Sequence, residues 1–130
     1  MNYPQLPEAE FAAMQIIWTQ GGPITSSRVA ELLKPQKGWK HQTVSTLLSR
    51  LTEKGFLSSE KAGKERHYHP LVEKEDYLRQ ETGRFVKEFH KNSLTGLMSA
   101  LVSGDNIDDG DLQDLAAWLK EREKGGDSDV

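Results

Sequence analysis

The chain has 130 residues, 28% of them charged and 35% hydrophobic, which suits one compact globular domain with an appended element and is too short for two ordinary domains. It has no cysteine, which excludes disulfides, thiolate metal clusters and cysteine nucleophiles together. The net charge of -3 argues against a polyanionic partner only if it is evenly spread, and it is not: residues 34 to 66 hold eight Lys and Arg against three Glu, a net of +5, leaving -8 for the rest. No run approaches the length of a membrane span, and the start MNYPQLPEAEF lacks the basic and apolar regions of a signal peptide, so the expectation is a cytoplasmic protein without membrane insertion.

In chain order, Pro7 with Glu8 and Glu10 starts a first helix, expected to run to about Thr19 and to place Phe11, Met14, Ile17 and Trp18 on one stripe. Gly21, Gly22 and Pro23 end it. Thr25 or Ser26 caps a second helix that turns Val29, Leu32 and Leu33 inward and is expected to stop at Pro35, with 36 to 39 as a linker. The segment KHQTVSTLLSRLTEK, Lys40 to Lys54, is the most periodic in the chain: Val44, Leu47, Leu48 and Leu51 follow i, i+3, i+4, i+7, and Gly55 supplies the stop. Leu57 to Lys61 and Arg66 to Pro70 then flank a glycine-containing turn, predicting a two-stranded hairpin. From Glu73 onward only helical signals remain. Gly83 and Gly96 weaken a long helical stretch, a turn is expected over Asp105 to Gly110, and a last helix over Asp111 to Arg122 precedes a polar tail at 125 to 130.

Three short helices followed by a hairpin give the order of a winged helix-turn-helix, in which the third helix enters the major groove. The fold expected is mostly α with a small β wing, comprising a DNA-binding domain over 1 to 72 and a helical dimerisation region over 73 to 124. With Val44 and Leu48 inward, steps of 100° place Gln42, Thr46 and Ser49 outermost on the third helix, flanked by Ser45 and Arg50. Short hydrogen-bonding side chains and a guanidinium suit base edges and phosphates, whereas a merely solvated face more often carries Glu and Lys. Lys40, His41 and Gln42 stand at the helix N-terminus, where contacts to bases and phosphates concentrate, and Lys61, Lys64, Arg66 and His67 surround the wing turn.

Other chemistries fit less well. His67 and His69 share a strand face, but no cysteine or carboxylate completes a metal-ligand spacing, and no cofactor is expected. Asp105, Asp108, Asp109 and Asp111 lack the glycine and closing glutamate of a calcium loop and fit a helix-capping turn. No G-x-S-x-G, P-loop or H-E-x-x-H motif supports an enzyme. The competing function is a winged-helix protein-interaction module that does not bind DNA. Phe85, Phe89, Leu94, Leu97, Met98, Leu101, Leu112, Leu115, Trp118 and Leu119 exceed what a small winged domain covers, which predicts a two-fold dimer with paired recognition helices on a palindromic operator.

The runs PEAEFAAMQIIW, ITSSRVAELL, WKHQTVSTLLSRLTEKGFL and GKERHYHPLV together resemble the DNA-binding domain of the BlaI/MecI/CopY family of penicillinase repressors, with T-V-x-T-L-L-x-R-L-x-x-K-G the most specific part. The resemblance extends more weakly to Leu119. It implies a homodimeric repressor on inverted-repeat double-stranded DNA, with Gln42, Ser45, Thr46 and Arg50 at recognition positions and Lys40 and Thr43 where backbone contacts are common. The cysteine motif of the copper-responsive members is absent, which excludes a copper-thiolate sensor. In the penicillinase-type members a membrane-bound β-lactam sensor leads to cleavage at an Asn-Phe bond. The matching place is Ala100-Leu101, where that bond is missing, so any cleavage here implies a different protease preference.

Overall fold

The computed structural model describes residues 2–128, with side chains through residue 125. The elements run α1 (Glu8–Gln20), β1 (Ile24–Thr25), α2 (Ser26–Lys37), α3 (His41–Glu53), β2 (Leu57–Ala62), β3 (Glu65–Pro70), α4 (Lys74–His90), α5 (Leu94–Ser103) and α6 (Asp109–Ser128). Two compact units divide between Thr82 and Gly83, inside α4.

In the first unit the helix ends are set by local chemistry. Pro7 occupies the N-cap of α1, and Gly21, at φ 75°, closes it by donating its N–H to the Ile17 carbonyl. The Thr25 hydroxyl caps α2 by accepting from the Arg28 N–H at 3.1 Å. Pro35 does not stop α2: the helix passes through it to Gly38, which takes φ 65° and donates to the Lys34 carbonyl. A proline so near the C-terminus removes a single ladder bond, and the left-handed glycine three residues on is the stronger terminator. Gln36 and Lys37 are therefore helical rather than linker. Gly55, at φ 84°, ends α3 as expected, with the Phe56 N–H returning to the Leu51 carbonyl at 2.9 Å.

The sheet has three strands rather than two. β3 is central, pairing antiparallel with β2 from Leu57↔Pro70 to Ala62↔Glu65 and with β1 through Ile24↔Tyr68 and Thr25↔His67. A two-residue strand carries no periodicity, so β1 exists only through this long-range pairing. Ala13, Met14 and Ile17 of α1, Val29 and Leu33 of α2, and Val44, Leu48 and Leu51 of α3 form one core with Phe56, Leu57 and Tyr68. Tyr77 joins it: 2% exposed, it packs edge-on to Phe56 at 5.4 Å and its hydroxyl accepts the Leu6 N–H at 2.8 Å. Gln80 clasps the backbone of Tyr3 in both directions at 2.7 Å. The first unit thus extends past residue 72 because the opening turns of α4 belong to its core.

In the second unit the helical stretch breaks at Lys91 and Asn92, which adopt φ 49° and 64°, rather than at either glycine. Ser93 then caps α5 by accepting from the Gly96 N–H at 2.9 Å. Asp108 and Asp111 exchange side-chain bonds with each other's backbone N–H at 2.9 Å, a reciprocal cap at the start of α6 that gives the acidic cluster its structural role. α6 continues to Ser128, into the expected polar tail, of which residues 129 and 130 lie outside the described residues.

Gly83 sits inside α4 with a negative φ, and a Cβ there would meet nothing within 4 Å. Gly83→Ala is therefore expected to stabilise the chain by about 1 kcal/mol, by lowering the backbone entropy lost in the helix. A thermal melt checks this: an unchanged or lower midpoint would show that α4 depends on glycine there.

Candidate nucleic-acid interface

One side of α3 is buried through Val44, Leu47, Leu48 and Leu51, and this decides what the other side presents. Lys40, His41, Gln42, Thr43, Thr46, Ser49 and Arg50 are exposed and Ser45 is half-buried, so the predicted recognition face is brought together as one surface. Lys40 holds the extended N-cap conformation without a side-chain cap bond, leaving its ammonium free of the helix end. The Thr46 hydroxyl donates to the Gln42 carbonyl at 3.1 Å, which fixes its rotamer and leaves its oxygen able to accept.

Alternation along the hairpin sorts the wing residues by face. Lys61 and Arg66 are direct cross-strand partners and share one face, while Lys64 stands in the turn beside Gly63 at φ 67°. The Arg66 guanidinium donates to Ser59 Oγ at 3.1 Å. His67 belongs elsewhere. It lies on the central strand between Thr25 and Glu60, on the face opposite Lys61 and Arg66, half-buried with its Nδ1 enclosed and lacking a hydrogen-bond partner. The sequence places it two residues from Glu65 but not on which side, since the pairing with β1 sets that. Lys54, counted with the basic segment, also turns inward and pairs with Glu10.

The structure further brings together groups that sequence separation hides. His41 Nε2 lies 3.3 Å from Ser26 Oγ and 3.5 Å from Ser27 Oγ, and its Nδ1 lies 3.4 Å from Ser45 Oγ. Ser27 Oγ donates to Glu65 Oε1 at 2.6 Å. The start of α2, the start of α3 and the wing are thereby tied through Ser27, His41 and Glu65. No local signal marks Ser26 and Ser27, beyond the helix-capping pattern, as members of this surface.

Three helices with a three-stranded sheet, an exposed hydrogen-bonding face on α3 and a basic hairpin define a winged helix-turn-helix protein. A profile of the penicillinase repressor family matches residues 6–121, and the chain belongs to that family. It is 28% identical over 118 residues to the penicillinase repressor of Bacillus licheniformis, covering 91% of each chain. It also matches the solution structure of the DNA-binding domain of the repressor BlaI, with TM-score 0.52 and 33% identity over 58% of this chain and 92% of that one. The monomeric form of Bacillus licheniformis BlaI in complex with the blaP half-operator matches with TM-score 0.50 and 33% identity over the same shares.

Proposed function

We propose that this protein is a sequence-specific DNA-binding transcriptional repressor that acts in the cytoplasm as a homodimer on a palindromic operator. The observation that carries the reading is the pairing of Lys61 directly opposite Arg66 on the wing, in a unit whose α3 offers exposed Gln42, Thr46 and Ser49 together with Arg50. Like charges opposed across a ladder destabilise a hairpin, and a polyanion removes that cost. The relatives are named as repressors, and one neighbour is described in complex with a half-operator, which supports DNA as the ligand.

In this reading Gln42, Ser45, Thr46 and Ser49 address base edges, Arg50, Lys40, Thr43 and His41 serve the groove rim and backbone, and Lys61, Lys64 and Arg66 hold flanking phosphates. His67, on the face opposite Lys61 and Arg66, is outside this contact set. The second unit supports dimerisation: among its residues with described side chains none is buried, and Phe85, Phe89, Leu94, Val102, Trp118 and Leu119 are exposed. Leu97, Met98, Leu101, Leu112 and Leu115 are half-buried and extend the same apolar supply. Release of the repressor would come from cleavage near Ala100-Leu101 by a protease that does not need an Asn-Phe bond, downstream of a membrane sensor. The bond lies within α5, so a protease requires local unwinding, for which a helix without a buried side chain is well suited. Among the described residues no helix is long and apolar enough to cross a membrane.

The test is fluorescence anisotropy against a duplex selected by the protein from a randomised pool and against a shuffled duplex. Affinity for the selected duplex is expected to fall about 10³-fold or more between about 50 and 200 mM salt if the dimer neutralises six or more phosphates. Gln42→Ala and Thr46→Ala are expected to reduce discrimination between the two duplexes by roughly 1 to 3 kcal/mol, whereas Arg50→Ala and Lys61→Ala weaken binding to both. A uniform loss for Gln42→Ala would remove it from base recognition, and failure to select any sequence would favour a protein-interaction module.

A further inference from the structure

Glu10 is the one charged side chain buried among the described residues, at 3% exposure. It stands on α1, and its Oε1 accepts a hydrogen bond from Lys54 Nζ at 2.5 Å. Lys54 is the C-cap residue of α3, at the opposite end of that helix from Lys40 and Gln42. The pair adds little net stability, because Glu10 is buried and Lys54 keeps 30% of its side chain exposed, so desolvation of the carboxylate offsets much of an attraction that solvent also weakens. What the pair supplies is direction. Elsewhere α1 and α3 share an apolar cluster through Ala13, Met14 and Ile17 on one side and Val44, Leu48 and Leu51 on the other. Such contacts fix which side of α3 faces inward but, being non-directional, discriminate weakly against a rotation of a few tens of degrees. A rotation of about 20° leaves the apolar stripe inward yet shifts a side chain ~6 Å from the helix axis by roughly 2 Å, enough to misplace Gln42, Thr46 and Ser49 against base edges.

We infer that the Glu10–Lys54 ion pair is a positioning device for DNA recognition, fixing the fine rotation of α3 about its axis without touching DNA. The inference rests on the reading of α3 as the helix that enters the groove. It predicts an effect on discrimination rather than on general affinity, because phosphate attraction from the wing does not require that rotation of α3.

The experiment uses the full chain, a duplex selected by the wild-type protein from a randomised pool, and a shuffled duplex. Glu10→Leu with Lys54→Met removes both charges at similar volume, with folding checked by circular dichroism and a thermal melt. Affinity for the selected duplex is expected to fall at least ~10-fold, while that for the shuffled duplex stays within ~3-fold, as loss of about one base contact or more requires. Lys54→Arg keeps the pair and is expected to keep discrimination. Lys54→Gln, which leaves a neutral donor for the carboxylate, gives the same readout if the apolar pair does not fold, with discrimination again reduced. Undiminished discrimination in a folded variant without the charge pair overturns the inference, as does an equal loss on both duplexes. If the wild type selects no sequence, the DNA reading itself fails; if it selects one and the variants select it equally well, only the positioning role fails.

Discussion

Phe89→Asp combined with Trp118→Asp is expected to yield a folded monomer that binds an inverted-repeat duplex ~10² to 10⁴-fold more weakly than the parent. Both side chains are already exposed, at 68% and 58%, so a carboxylate at either place removes little packing within one chain. In a two-fold dimer the same substitutions would bury charges in an isologous apolar contact and meet their own copies across it. Monomeric protein then loses the gain from engaging two half-sites at once, while each DNA-binding unit keeps its own surface. Light scattering alongside anisotropy separates the outcomes. A double variant that stays dimeric with full affinity would place the interface elsewhere, and a monomeric parent would refute the homodimer.

The second large effect concerns stability. Phe56→Ala is expected to destabilise the first unit by about 3 to 5 kcal/mol, the usual cost of deleting a buried aromatic ring and leaving a cavity. Phe56 is fully buried immediately after the α3 cap, its ring centroid 5.9 Å from that of Tyr3 and 5.4 Å from that of Tyr77. The ring therefore joins the N-terminal segment, the end of α3 and the start of α4. Since small domains are stable by only about 5 to 15 kcal/mol, much of the margin would disappear. Urea unfolding followed by circular dichroism measures it, and a loss below ~1 kcal/mol would show that the site collapses around the smaller side chain.

Much of the exposed face of α3 was legible before any coordinates because α3 is strongly periodic. Val44, Leu47, Leu48 and Leu51 mark the inward side, so the outward positions of Gln42, Thr46, Ser49 and Arg50 follow from helical geometry alone. Gly55 and Pro7 were equally legible, since each acts through its own backbone. Pro35 was misleading for the same local reason: its helix-breaking tendency is real, but its position close to the left-handed Gly38 let α2 continue past it. Lys54 entered the positive segment because composition counts charges without directions, and His67 was grouped with the wing because it stands near the turn in sequence.

The sequence by itself determined the helices, the hairpin, the segregation of positive charge into one segment and the face of α3 offered to solvent, all properties of residues within a few positions of one another. Only the tertiary structure decided that Ile24 and Thr25 complete the sheet, that Tyr77 belongs to the first core, that Lys54 pairs with Glu10 and that Ser27 reaches Glu65. These depend on partners dozens of residues apart, brought together by burial of a common apolar core. Periodicity and capping act locally and leave a trace in the sequence, whereas a contact between distant residues leaves none until the chain has closed on itself.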